Sequence, residues 1–114
     1  MVQSLSVAFV FASAQGLDAE LFLNTINEAL FQSPFYLSYG RVMLHPPEQP
    51  GATVLLGAKD TRLLREAAEA AGVRLGLADY FQQQLNAAIE AGMGKMDWAV
   101  GQYRETEKAS KKPR

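Results

Sequence analysis

Signals that begin and end helices recur along this chain and restrict it to a helical fold. Asp18 and Asp97 can cap the first turn of a helix, and Ser33-Pro34 combines a capping side chain with a proline at the first helical position. Three glycines stand where a helix can end, namely Gly16, Gly72 and Gly92. No convincing strand pattern lies between these signals. The sequence therefore predicts an all-α fold, a single bundle of five or six helices.

Apolar residues recur between these signals at the spacing of one helix face. The predicted helices cover residues 2–15, 19–30, a segment opened by Ser33-Pro34, about 53–71, about 77–91, and a short last segment begun by Asp97. Residues 45–51 form a loop, because three prolines in five residues exclude a regular helix. Residues 105–114 are charged and contain small residues, so the chain divides into a helical domain, residues 1–104, and a charged tail, residues 105–114.

The first predicted helix has two apolar faces. One face contains Leu5 and Phe9, and the other contains Val7, Val10 and Phe11. A helix that is apolar around most of its circumference is buried on most sides. The sequence therefore predicts that this helix lies either at the centre of the domain or at a contact between subunits, and we expect a homodimer.

A net charge of −1 and the absence of cysteine exclude several classes of protein. Nucleic-acid-binding domains usually carry a basic excess, so no nucleic acid is expected as a partner. Without cysteine the chain has neither disulfides nor zinc–thiolate sites, and no other cluster of metal ligands is apparent. The apolar N-terminal segment has no preceding Lys or Arg and is too short to span a bilayer. We therefore expect no membrane association and a cytoplasmic location.

Lys59 and Asp60 are the residues that most suggest a polar site. On a helix, Lys59 shares an apolar face with Leu56 and Leu63, and Asp60 is flanked by Leu56, Leu63 and Leu64. A Lys–Asp pair among core residues is costly to desolvate unless a ligand supplies the missing contacts, as in a cleft. The alternative, which the pattern alone favours, is that both side chains extend into solvent at the rim of a core-facing stripe.

The remaining motifs give weaker signals. His45 precedes two prolines and is interpreted as an exposed loop residue. Gly92-Met93-Gly94-Lys95 is better explained as a turn at a helix end than as a phosphate loop, because no strand precedes it and no Ser or Thr follows the Lys. Without a Gly-rich dinucleotide fingerprint or a nucleophile–base pair, no catalytic residue is predicted. An aromatic cluster that can pack between helices or cover a ligand comprises Phe31, Phe35, Tyr36 and Tyr39.

Segments spread over nearly the whole chain carry a family resemblance. Residues 15–23 contain Gly-Leu-Asp followed by Glu and Phe, and residues 57–63 contain Lys-Asp-Thr-Arg-Leu. The other matching segments are 30–36, 39–44, 68–73 and 97–98. In this order and spacing they resemble the C-terminal helical domain of the β-hydroxyacid dehydrogenase family. That family includes 3-hydroxyisobutyrate dehydrogenase, tartronate semialdehyde reductase and glyoxylate reductase, and the domain is similar to the C-terminal domain of 6-phosphogluconate dehydrogenase.

The resemblance implies a complete enzyme with an N-terminal Rossmann domain, a long connecting helix and this helical domain. Such an enzyme moves a hydride between NAD or NADP and a small β-hydroxyacid or the corresponding semialdehyde. The resemblance also implies that Lys59 contacts the nicotinamide end of the cofactor and that Asp60 borders the substrate cleft. The positions of the family's catalytic Lys and its nearby Asn would fall before Met1. Where the family has a Glu in the long helix this chain has Val7 or a neighbour, and where it has an aromatic residue before the Lys-Asp helix this chain has Ala52. We therefore expect the chain alone to bind no cofactor and to lack dehydrogenase activity.

The resemblance thus implies that the chain is the substrate-cleft and dimerisation domain of an NAD(P)-dependent β-hydroxyacid dehydrogenase. Its expected partners are a second copy of itself and a separately encoded Rossmann-domain chain. The alternative is a free-standing helical module for binding or dimerisation that has kept the fold without the redox chemistry. Neither the substrate nor the choice of NAD or NADP follows, because the residue that makes that choice lies in the Rossmann domain.

Overall fold

The computed structural model describes residues 1–30 and 32–111 and confirms the all-α fold. A π-helical turn, Ile89–Met93, continues the fifth helix, and within the described residues the only strand-like pairing is an isolated bridge between Thr53 and Asp97. The six α-helices of the described residues are α1 (Val2–Ala14), α2 (Ala19–Ala29), α3 (Pro34–Leu44), α4 (Val54–Ala70), α5 (Gly76–Ala88) and α6 (Trp98–Ser110).

Side-chain caps begin the helices where the sequence places them. Asp18 Oδ1 accepts a hydrogen bond from the Leu21 amide at 2.8 Å, and Ser33 Oγ accepts one from the Tyr36 amide at 3.3 Å. Gly16 and Gly72, which follow α1 and α4, and Gly92, which lies within the π-helical turn, have positive φ angles, which a residue without Cβ adopts without strain. The predicted helix boundaries are therefore confirmed to within one to three residues for α1, α2, α4 and α5.

Asp97 ties the beginning of α6 to the beginning of α4. Its Oδ1 accepts from the Ala99 amide at 2.9 Å and caps α6, while its Oδ2 accepts from the Gly51 amide at 3.1 Å. The backbone adds two bonds, because the Val54 amide donates to the Met96 carbonyl at 3.0 Å and the Trp98 amide donates to the Ala52 carbonyl at 2.9 Å. These contacts fix the position of α4, which carries the candidate site.

Two apolar clusters form the core, and α6 joins them. One cluster lies among α1, α2, α3 and α6, and the other lies among α4, α5 and the π-helical turn. Glycines let α6 approach α4 closely, since a methyl group at Gly101 would overlap Cγ2 of Val54 and a Cβ at Gly57 would stand 3.3 Å from Cε3 of Trp98. The helix at the centre is thus α6, which packs against α1, α3, α4 and α5.

The interpretation of residues 105–114 as a charged tail is wrong for residues 105–110. Helix α6 continues to Ser110, six residues past the predicted boundary at 104. Glu105 and Thr106 are buried in the described structure, and the Thr106 hydroxyl accepts a hydrogen bond from Gln3 Nε2 at 2.9 Å. The sequence pattern missed this packing because the buried residues here are polar, and polar residues near a terminus resemble a solvated end.

Helix α1 buries one of its two apolar faces within this chain. Leu5, Phe9 and Ala12 are buried in the core, whereas Val7 and Phe11 are 49% and 67% exposed. The expectation that α1 is covered on most sides therefore does not hold within the single chain. No helix in the described part of the chain has the length and apolar character needed to cross a membrane.

Candidate functional site

The residues that α4 turns toward the core are small. Gly57 and Ala58 are buried together with Val54 at the beginning of the helix, and Gln82 of α5 donates from Nε2 to the Ala58 carbonyl oxygen at 3.2 Å. Small side chains let α5 and α6 lie close against this side of α4. The larger side chains of α4 are consequently left on its opposite side.

Four leucines of α4 lie on the outside of the domain. Leu55, Leu56, Leu63 and Leu64 are 43–53% exposed, and we call them, with Lys59 and Asp60, the α4 surface. Leu56 and Leu63 were predicted to lie in a core-facing stripe, and that prediction is wrong. The helical spacing is right, but the core lies on the side of Gly57 and Ala58.

Lys59 and Asp60 both project from the middle of the α4 surface. Both residues are exposed, and neither side chain makes an ion pair or a hydrogen bond with another of the described residues. Adjacent residues on a helix point about 100° apart, so the ammonium and the carboxylate do not pair with each other. Leu56 and Leu63 lie one turn before and one turn after the pair, next to both. The result is an apolar surface with one available cation and one available anion.

The structure leaves the weaker sequence motifs outside the α4 surface. His45 is an exposed loop residue, as predicted, and its Nε2 lies 2.8 Å from Glu20 Oε2 at the beginning of α2. Gly92, with φ of 83°, belongs to the π-helical turn that leads from α5 toward α6, so its motif is confirmed as a turn at a helix end. Within the described residues, no three His, Asp or Glu side chains lie close enough together to hold a metal ion.

Only part of the aromatic cluster packs between helices, and part of it is exposed. Tyr39 packs edge-on against Trp98, with ring centroids 5.8 Å apart. Phe35, by contrast, is 65% exposed and stacks on Tyr39 at 6.4 Å. Phe31 lies outside the described residues.

Leu55 stands one turn before Lys59 and Leu64 one turn after Asp60, so both leucines border the pair, which the apolar stripe of the sequence did not predict. The signal was present, because residues 54, 57, 58 and 61 of α4 include Gly, Ala and Thr at helical spacing. A stripe of small residues marks the side on which helices approach closely. Leucines on the other side of such a helix are then candidates for a surface that meets another domain.

Comparison with known proteins identifies similar chains. A family model described as NAD-binding of NADP-dependent 3-hydroxyisobutyrate dehydrogenase matches residues 2–100. The chain is 38% identical over 101 residues to YfjR, an uncharacterized oxidoreductase of Bacillus subtilis (strain 168), a match that covers 88% of this chain and 35% of that protein. The fold resembles the crystal structure of 3-hydroxyisobutyrate dehydrogenase (ygbJ) from Salmonella typhimurium, with a TM-score of 0.80 and 20% identity. That match covers 90% of this chain and 36% of the solved one, so this chain spans about a third of the length of both relatives.

Proposed function

We propose a function on the premise that this chain belongs to the family described as NAD-binding of NADP-dependent 3-hydroxyisobutyrate dehydrogenase. In this proposal the chain is the substrate-cleft and dimerisation domain of an NAD(P)-dependent β-hydroxyacid dehydrogenase, located in the cytoplasm. The observation that carries the proposal is the α4 surface. An exposed leucine surface with an unpaired Lys and Asp at its centre suits a face that closes over a polar ligand held by another domain.

Lys59 and Asp60 have separate roles in this proposal. The Lys59 ammonium is a donor only, so it can hold a carbonyl oxygen of the nicotinamide carboxamide or a carboxylate oxygen of the substrate. The Asp60 carboxylate is an acceptor and can orient a hydroxyl group at the edge of the same cleft. The neighbouring leucines exclude water when the cleft closes, which strengthens both contacts.

The described residues can contact the nicotinamide end of the cofactor. The α4 surface offers a cation for the nicotinamide end, but the chain has no Gly-rich fingerprint that could cradle a pyrophosphate. When bound, the cofactor supplies or accepts the hydride, and the protein residues position the reacting carbon and exclude water. We therefore propose that a Rossmann domain, in the same protein or in a separately encoded chain, binds the nucleotide and meets the α4 surface.

The 114-residue chain alone is expected to be inactive. The test is a chimera that joins the part of the Bacillus subtilis relative not covered by the match to residues 2–111 of this chain. Oxidation of NADH and NADPH is measured with glyoxylate, succinic semialdehyde and tartronate semialdehyde. Turnover by the chimera and none by the 114-residue chain is the expected result.

Point variants of the active chimera test the two site residues. A charge-assisted hydrogen bond contributes about 1.5–3 kcal/mol, so Lys59→Met should lower kcat/KM roughly 10- to 150-fold. Asp60→Asn should lower it less, because an amide oxygen still accepts. Lys108→Met, which removes an exposed Lys on α6, is the matched control and should leave kcat/KM unchanged. A folded chimera that binds NADH or NADPH but turns over none of the three substrates would favour the free-standing binding module over the dehydrogenase.

A further inference from the structure

A small cavity lies where α1, α4, α5 and α6 meet. It has a volume of about 110 Å³, and its apolar lining includes Phe81 and Trp98. Thr61, which also lines it, stands one turn after Gly57 on the core side of α4, so helix α4 separates the cavity from the α4 surface. Met1 lines the cavity as well and is 43% exposed, which leaves a small molecule a way in from solvent.

Two buried glutamines add unsatisfied polar atoms to this mostly apolar cavity. Gln3 and Gln102 both line it, each is 4% exposed, and the side-chain oxygen of each has no hydrogen-bond partner among the described residues. Within the described part of the chain, the buried side-chain polar atoms that lack a partner are all oxygens, and these two are among them. A buried acceptor without a donor costs free energy, so both oxygens favour a hydrogen-bond donor inside the cavity.

The orientation of the Gln3 amide follows from its contact with Thr106. The Thr106 hydroxyl donates to the Gln102 carbonyl oxygen at 2.8 Å, so toward Gln3 it can only accept. It accepts from Gln3 Nε2 at 2.9 Å. The nitrogen of the Gln3 amide therefore faces Thr106, and the oxygen is the atom that remains for a ligand.

We propose that this cavity binds a primary ammonium group carried on a short apolar chain. The ammonium donates to the side-chain oxygens of Gln3, Gln102 and Thr61, and the apolar chain lies against Phe81 and Trp98. Thr61 Oγ1 donates to a carbonyl oxygen of its own helix at 2.8 Å and keeps a lone pair with which to accept. The site does not depend on the proposed dehydrogenase function.

The number of donors and the surrounding charge favour an ammonium over water or an alcohol. A primary ammonium has three donors and no acceptor, which matches three acceptor oxygens, whereas water and a hydroxyl group bring fewer donors and lone pairs of their own. Glu105, one turn after Gln102 on α6, is buried with its Oε2 unpartnered, and a carboxylate at that position attracts a cation. Aromatic rings such as those of Phe81 and Trp98 attract a cation at their faces. These contacts offset the cost of removing the ammonium from water.

Trp98 can report on this cavity because it is the only tryptophan of the chain. Titration of the full 114-residue chain with propylammonium chloride at neutral pH should change the tryptophan fluorescence saturably, with a Kd of about 1–10 mM for so small a ligand. Tetramethylammonium, a cation without an N–H donor, and propanol, the same chain with one donor, should bind at least about 10-fold more weakly. No response to propylammonium up to about 100 mM would show that the cavity holds water only, and would overturn the inference. Equal binding of propanol or tetramethylammonium would overturn it as well.

Gln102→Met distinguishes a ligand-binding residue from a structural one. Methionine is also unbranched but has no amide oxygen, so the Kd for propylammonium should rise about 10-fold or more. The substitution also removes an unpartnered buried oxygen, so the urea midpoint without ligand should stay the same or rise. Gln83→Met, the same change at an exposed position of α5 outside the cavity, is the control and should leave the Kd unchanged. A lower urea midpoint with an unchanged Kd would make Gln102 a structural residue and overturn the inference.

Thr61→Val tests the third acceptor and does not depend on how well Gln102→Met folds. Valine keeps the shape of threonine but has no hydroxyl oxygen, so the Kd for propylammonium should rise roughly 3- to 10-fold. Thr25→Val is the matched control, because the Thr25 hydroxyl also donates to a carbonyl of its own helix but is exposed. Binding by Thr61→Val that equals binding by the wild type and by Thr25→Val would show that the ammonium is not held at this cavity, and the inference would fail.

Discussion

Gln3 Nε2 donates a hydrogen bond to Thr106 Oγ1 at 2.9 Å and joins residues that are 103 positions apart in the chain. The Thr106 hydroxyl in turn donates a hydrogen bond to the Gln102 carbonyl oxygen at 2.8 Å. Gln3, Gln102 and Thr106 are all buried, so this chain of bonds fixes α1 against α6 away from solvent. The hydroxyl is both acceptor and donor, and an apolar side chain of the same shape can be neither.

Thr106→Val should destabilise the protein by roughly 1–3 kcal/mol. The substitution keeps the shape of the side chain but leaves the Gln3 amide without an acceptor in a buried place, and an unsatisfied buried donor costs about that much. Thr25→Val is the matched control, because the Thr25 hydroxyl also bonds a helix carbonyl but is exposed. The control should change the free energy of unfolding by less than about 0.5 kcal/mol. Urea unfolding of both variants checks this, and equal effects would show that the buried bond contributes little.

Gly101→Ala should destabilise the protein although Ala favours helices over Gly. The added methyl group would overlap Cγ2 of Val54, which is fully buried and β-branched, so its side chain does not turn away cheaply. We expect a net loss of about 1–3 kcal/mol from this overpacking. Gly76→Ala is the control, because Gly76 is the first residue of α5, and a Cβ there meets no atom within 4 Å. The control should be neutral or gain up to about 1 kcal/mol, and thermal unfolding compares the two.

The sequence alone predicted the helices because the signals that begin and end a helix are local. Asp18, Ser33 and Asp97 cap helices through bonds to amides two or three residues further along the chain. A pattern of residue types carries that information directly, as do glycines that follow a helix end. The all-α fold and most of the helix boundaries follow from these positions alone.

The sequence alone did not predict which side of α4 faces the core. Leu56 and Leu63 follow the same helical spacing whether they face a core or a partner, and only the positions of α5 and α6 decide. The length of α6 was missed for a related reason, since Thr106 is packed through a bond to a residue at the other end of the chain. Long-range partners of this kind do not appear in a local pattern. The roles of Lys59 and Asp60 rest on the family resemblance and remain a proposal.

Lys59→Met should leave the stability of the chain nearly unchanged, within about 0.5 kcal/mol. Lys59 is exposed and makes no ion pair within the described residues, so its removal breaks no structural contact. Leu63→Ala should also cost less than about 1 kcal/mol, since Leu63 is half-exposed. Leu85→Ala in the core between α4 and α5 should cost roughly 2–5 kcal/mol. Urea unfolding of the three variants separates surface from core, and a loss of several kcal/mol for Lys59→Met would make Lys59 a structural residue rather than a ligand-binding one.

Tyr103 should make stability depend on pH in the alkaline range. Its ring packs edge-on against Phe9, with ring centroids 5.7 Å apart. Burial and, secondarily, the nearby Glu107 carboxylate raise the pKa of Tyr103 above its ordinary value of 10.0. The unfolded chain therefore loses this proton at a lower pH than the folded chain does. The stability linked to this proton is fully present below about pH 10 and is lost as the pH rises through the pKa of the folded state.

Tyr103→Phe should accordingly flatten the alkaline part of the stability curve. We expect the free energy of unfolding of the wild-type chain to fall more steeply than that of Tyr103→Phe between about pH 9 and pH 11. Tyr80→Phe is the control, because Tyr80 is an exposed tyrosine on α5, and its curve should parallel that of the wild type. Urea unfolding followed by circular dichroism at about pH 7, 9, 10 and 11 measures the slopes. If Tyr103→Phe and the wild type lose stability at the same rate, the phenol of Tyr103 ionises as readily in the folded chain as in the unfolded one, and the proposed burial effect is absent.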